Sequence, residues 1–134
     1  MSEGLTPPTG MAERYRESFA KMLELVGMMY RAGIPIEDGT DAMPGFTLQR
    51  ELELDVQMGI PANRVLQDAT LNAACIMKLD GELGSIAPGK LADLTLVQGN
   101  PVNNISDIRK TVWVVKDGLS YKPEELYSAL GMTT

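Results

Sequence analysis

Three carboxylates fall close together in Glu37-Asp38-Gly39-Thr40-Asp41. Carboxylates at this density can bind a hard cation such as Ca²⁺ or Mg²⁺ through their oxygens. The plainer reading is a solvated acidic loop. Asp41 by itself reads as a loop aspartate capping a turn. It also follows a short strand-like stretch on a glycine-containing loop, the place where barrel folds build active sites. Cys75, the single cysteine, sits among small apolar residues and is expected to be a buried core thiol. Lys90, after Pro88-Gly89, reads as a turn lysine rather than a Schiff-base nucleophile. The chain has no histidine. Serine and cysteine catalysis through an imidazole, histidine-ligated zinc and histidine acid–base chemistry are therefore excluded unless a partner supplies the ring. Chemistry within this chain rests on carboxylates, lysine and hydroxyls.

The elements that must position these groups follow from periodicity. Residues 1–11 carry Gly4, Pro7, Pro8 and Gly10 and read as a flexible leader. From 12 to 32 the apolar residues Tyr15, Phe19, Met22, Val26 and Met29 step by four and three, widened by Leu23 and Tyr30, which predicts a helix ended at Gly33. Ile34-Pro35-Ile36 reads as a short strand that Pro35 confines to an edge or a strand start. A second helix is expected from Thr47 to about Met58, with Leu48, Leu52 and Val56 inward and Glu51, Glu53 and Asp55 facing away. Helical segments follow at 62–69 and from Thr70, a candidate N-cap. Beyond Asp80-Gly81 the pattern turns strand-like, at 91–97, 111–115 and 119–121, with Asp117-Gly118 as a hairpin turn. A closing helix is expected at 123–130, opened by Pro123. The expected organisation is a leader at 1–11, a mostly helical segment with one short strand at 12–80, and a stranded tail with a closing helix at 81–134.

The 134 residues are enough for one modest core, and 44% apolar with 22% charged residues is ordinary globular composition. Twelve basic against eighteen acidic side chains give a net charge of −6, which offers no footprint for nucleic acid or anionic lipid. No apolar run reaches membrane-spanning length, and the first residues do not read as a signal peptide, so a cytoplasmic location is expected.

Six strings occur in order: Ala32-Gly-Ile-Pro-Ile36, Gly39-Thr-Asp-Ala42, Arg50-Glu-Leu-Glu-Leu54, Ala69-Thr-Leu-Asn-Ala73, Leu83-Gly-Ser-Ile-Ala-Pro-Gly-Lys-Leu-Ala-Asp-Leu94 and Val115-Lys-Asp-Gly118. Over roughly residues 12–130 this series resembles the C-terminal part of the amidohydrolase superfamily, in its imidazolonepropionase-like and Xaa-Pro dipeptidase-like branch. The resemblance implies an α/β fold: the last strand–helix segment of a (β/α)₈ barrel joined to strands of a β-sandwich, α+β as an isolated fragment. It implies metal-dependent hydrolysis of amide or peptide-like C–N bonds by water activated on one or two divalent ions, zinc or another. The family's ligand set is a His-x-His pair, a lysine, two further histidines and an aspartate. Only the aspartate has a counterpart, Asp41, which the resemblance makes both metal ligand and proton shuttle. One carboxylate does not hold a catalytic zinc, which normally takes three protein ligands. No cofactor is therefore expected on the isolated chain. Gln49 stands where many relatives place histidine. Glu37 and Asp38 occupy positions that are commonly small or apolar.

The expectation is thus a truncated barrel fragment, catalytically incompetent alone. The alternatives are a non-catalytic oligomerising or interaction module, or half of a split hydrolase completed by a histidine-bearing chain that provides the missing barrel portion. The stripe on the first helix, left without barrel neighbours, is expected to drive homodimerisation.

Overall fold

The computed structural model describes residues 7–40 and 47–131. Its contacts divide the chain after Ile36 into two compact units.

The first unit is built on α1, Ala12–Arg31, with Glu13 in its first turn and Arg31 in its last, both favourable to the helix dipole. The helix ends as Gly33 requires. Gly33 takes φ +79° and donates its N–H to the carbonyl of Tyr30, while the N–H of Ile34 reaches that of Met29. These two bonds satisfy carbonyls that the helix end would otherwise leave open. Tyr15, Phe19 and Met22 on the apolar stripe are exposed, at 46%, 45% and 63%. The strand expected at Ile34–Ile36 does not form. No strand pairs with this segment among the described residues, and Pro35 has no N–H to offer a ladder.

The second unit joins a helical layer to a small sheet. Helix α2, Leu48–Gln57, is followed by a run of α3 (Ala62–Gln67), a π turn (Asp68–Asn72) and α4 (Ala73–Ile76). Thr70 is not an N-cap. It lies inside the run and its hydroxyl donates to the carbonyl of Leu66 at 2.6 Å, so one helical path continues through a position where a new start was expected. Cys75 is exposed rather than buried: the buried side of α4 is the one carrying Ala74, and the neighbouring residue faces water.

Three strands form an antiparallel sheet in the order β1-β2-β3: β1 is Leu94–Val97, β2 Thr111–Lys116 and β3 Leu119–Tyr121. Strand β1 begins three residues later than its apolar run suggests, because the N–H of Leu91 is taken by the carbonyl of Glu82. Asp117 and Gly118 both adopt positive φ, +51° and +77°, which gives the tight turn whose twist matches a hairpin. Between β1 and β2, Ile105–Arg109 forms a 3₁₀ turn. The closing helix α5, Pro123–Ala129, lies against β2.

The core is Leu52, Leu54, Ile60, Val65, Ala74 and Ile105, with Val65 wholly enclosed. One polar clasp ties the helical layer to the 3₁₀ turn. Glu53 on α2 accepts from Arg109 Nε at 2.7 Å, Arg109 Nη2 at 3.0 Å and Ser106 Oγ at 2.9 Å. A second fixes the loop after α4: Lys90 Nζ donates to the carbonyls of Asp80 and Leu83 and to Ser85 Oγ. Lys90 is therefore a loop-building residue, in keeping with its turn reading.

Candidate functional site

Asp41 lies outside the described residues. What the structure does place is the approach to it, Glu37 to Thr40, and the groups around that approach. Asp38 is half-buried, and its carboxyl is hydrogen-bonded to that of Asp55 on α2. Asp55 itself is only 6% exposed. The expectation that Asp55 faces away with the other acids of α2 is thus overturned. Leu52, Leu54 and Asp55 are all buried, so α2 is covered on more than the one face its apolar spacing marks.

Two carboxyls cannot both ionise comfortably at hydrogen-bond distance in a low-dielectric setting. Burial, the nearby charge of Asp38 and the hydrogen bond between them push Asp55 up to about 7, with Glu51 and Asp68 adding to the repulsion. Burial and Asp68 also raise Asp38, opposed by the hydrogen bond from Asp55. Glu37 is exposed, and partial desolvation moves it upward too. Asp68 is held on the π turn by Arg64 at 3.3 Å and by Asn72 Nδ2. The arrangement is a close pair of carboxyls, Asp38 on the segment that leads to Gly39-Thr40 and Asp55 on α2, in which Asp55 is pushed up toward its neutral form. The solvated-loop reading therefore holds for Glu37 and fails for Asp38.

The pair had a weak signature in the sequence. An aspartate two positions past Glu53 reads as one more charge on a wet face, and only the fold brings Asp38 to it.

A resident metal requires donors of the right number and type. The chain has no histidine, and among the described residues no group of three or more histidine, cysteine, aspartate or glutamate side chains is arranged to hold an ion. The residues present do not by themselves fit a catalytic divalent site, which normally uses three protein ligands and an open position.

Separately from this pair, α2, the helical run and the sheet line an apolar groove of about 1360 Å³. Leu52, Leu66 and Ala73 line its helical wall, Leu83 its wall in the loop after α4, and Leu96, Trp113 and Val115 its sheet wall. The Oε1 of Gln49, another lining residue, is buried without a hydrogen-bond partner. Gly84 seats the connecting loop: a Cβ there would stand 2.7 Å from the Cβ of Ala74.

Among known proteins, the chain is 39% identical over 70 residues to an imidazolonepropionase of Caldanaerobacter subterraneus subsp. tengcongensis, covering 48% of this chain and 17% of that protein. It is 36% identical over 75 residues to an adenine deaminase of Mesorhizobium japonicum, covering 52% of this chain and 12% of that one. The solved structure of a Xaa-Pro dipeptidase superposes with a TM-score of 0.72 at 37% identity, over 77% of this chain and 26% of the dipeptidase. This chain therefore spans between 12% and 26% of the length of these relatives. The amidohydrolase family model matches residues 13–118, across both units and through the Gly39-Thr40-Asp41 loop. The chain belongs to the amidohydrolase family.

Proposed function

We propose that this chain is the C-terminal part of a metal-dependent hydrolase of amide or peptide-like C–N bonds, and that it contributes one ligand position, Asp41, to a centre whose histidines come from another polypeptide segment. The observation that carries the reading is the family match running through Gly39-Thr40-Asp41 in a chain without a single histidine. The likeness to a dipeptidase, a deaminase and an imidazolonepropionase supports C–N hydrolysis as the class and selects no substrate within it. Alone, the chain is catalytically incompetent, because one carboxylate supplies neither the charge nor the coordination that activates water.

The chain's own residues serve to present Asp41. The Asp38–Asp55 pair fixes the backbone three residues before it, and the Glu53 clasp keeps α2, which carries Asp55, on its layer.

The test is product release from dipeptide and N-acyl amino acid panels with added Zn²⁺ or Mn²⁺. The chain alone should give no turnover. Addition of a histidine-bearing N-terminal segment from a relative should produce turnover that Asp41→Ala abolishes. Turnover by the chain alone that disappears with Asp41→Ala would overturn the incompetence. Restored turnover indifferent to Asp41→Ala would overturn its role as a ligand.

A further inference from the structure

The segment that leads to the Gly39-Thr40-Asp41 loop has little backbone structure to hold it. Glu37 to Thr40 form neither helix nor strand, and among the described residues no turn or loop hydrogen bond between backbone groups reaches any of them. Their hydrogen bond to the rest of the second unit is made by one side chain, Asp38, paired with Asp55 of α2. Asp55 stands on the firmer side of this contact. Leu52 and Leu54 on the same helix are buried, and the three bonds on Glu53 tie that helix to the 3₁₀ turn.

A bond between two carboxyls needs a proton on one of them. Here Asp55 is the donor and Asp38 the acceptor, since the bond favours the neutral form of the first and the charged form of the second. When that proton leaves, two negative charges stand at hydrogen-bond distance in a poorly solvated setting, and they repel. The cations on the packed elements are engaged with other acids: Arg50 with Glu53 at 3.3 Å, Arg64 with Asp68 at 3.3 Å and Arg109 with Glu53 at 2.7 Å. The charges that act on Asp55 are Asp38, Glu51 and Asp68, all negative, and Glu37 adds a further acid beside Asp38. One partner must move, and the one without backbone bonds yields first.

We propose that the Asp38–Asp55 contact is a pH-sensitive latch: one proton closes it and docks the approach to Asp41 on α2, and loss of that proton opens it and frees the approach. The docked state keeps the proton on Asp55 up to about 7, whereas a released Asp55 gives it up at lower pH. Docking is therefore strongest in mild acid, weakens as pH rises toward 7 and is lost above it. As regulation of the candidate site, the latch rests on the reading of Asp41 as a metal ligand. As a property of the chain, it does not.

Backbone ¹H–¹⁵N nuclear Overhauser effects of the full chain test this without any activity. Gly39 and Thr40 should be ordered at pH 5 and lose that order at pH 8, while Val114 in β2 stays rigid at both. Asp55→Asn supplies Asp38 with a neutral donor at every pH and should keep Gly39 and Thr40 ordered at pH 8. Asp38→Asn lies on the segment rather than on the buried helix, and carries the test where the first variant fails to fold. It should hold the same order by donating to the ionised Asp55. Asp38→Ala should leave Gly39 and Thr40 mobile at both pH values. Equal order at pH 5 and 8 in the unmodified chain overturns the latch. So does a folded Asp38→Asn chain that loosens in step with the unmodified one, or an Asp38→Ala chain as ordered as it at pH 5. Loosening of Val114 together with Gly39 would make the transition one of the whole unit, and also overturns it. Complemented turnover indifferent to Asp41→Ala strikes the ligand reading and leaves the latch, whereas a segment unmoved by pH strikes the latch and leaves the ligand reading.

Discussion

Among the described residues Asp55 is strongly perturbed, and the sign of its shift sets a pH dependence unlike that of most surface acids. Its folded pKa, near 7, lies above the ordinary 3.8, so the folded state holds a proton that the unfolded state has released. Stability then falls as pH rises from about 4 to 7, and the full penalty remains above that range. Glu53 acts at the opposite end. The hydrogen bond from Arg109, with those from Ser106 and Arg50, holds it down at about 2 against burial, so its contribution is complete above the usual glutamate range and fades as pH drops from about 4.5 toward 2. Between them, these two groups favour the folded state most in the mildly acidic range. Asp55→Asn should remove the neutral limb: urea midpoints of wild type and variant should differ at pH 8, with the variant higher, and converge near pH 4. An Asp55→Asn chain whose midpoint follows the same slope as wild type from pH 4 to 8 would show that another group titrates there.

At the scale of elements, the tail hairpin is fixed by its turn. Gly118 at φ +77° follows Asp117 at +51°, and a β-branched side chain at the glycine position meets strain at its own backbone. Gly118→Val should lower stability by about 1–2 kcal/mol, seen as a lower denaturation midpoint with unchanged cooperativity. This hairpin was legible in the sequence because Asp-Gly between the β-branched run Thr111–Val115 and Leu119-Ser120-Tyr121 is a local signal. So were α1, closed by Gly33, and α5, opened by Pro123. What was not legible depended on partners distant in the chain. Ile34–Ile36 has strand composition but no neighbouring strand to pair with. Thr70 has the chemistry of a cap, but the helix before it does not stop. Asp55 and Asp38 read as solvated charges because their meeting is made by the fold. Of the candidate site, the Gly39-Thr40-Asp41 string was marked only by its resemblance to the family, whereas the Asp38–Asp55 pair was visible only in three dimensions.

At the scale of the whole molecule, the second unit is held together by a small apolar core and by bonds that reach far along the chain. Glu53 and Arg109 lie 56 residues apart, and their bidentate contact joins the helical layer to the segment that leads into β2. The carboxylate is well covered while the guanidinium is partly wet, with side chains 15% and 43% exposed, so Glu53→Gln should cost about 1–2 kcal/mol rather than the full value of a buried pair. Double-mutant cycles with Arg109→Met should show coupling that is full above the usual glutamate range and weakens as pH falls toward 2, where the carboxylate takes up its proton. Coupling that stays unchanged over that fall would assign the contact to packing instead of charge. The loop gathered by Lys90 has a similar reach. Leu83, Gly84, Ser85 and Ile86 form part of the groove wall, and their path is set by one ammonium shared among two carbonyls and a hydroxyl. The width of the groove is therefore tied to a single positive charge that holds its wall without lining it. Neutralising that amine, by acylation for instance, would leave three oxygens without their common donor and let the wall drift outward, changing the shape of an apolar surface without altering one of its apolar atoms.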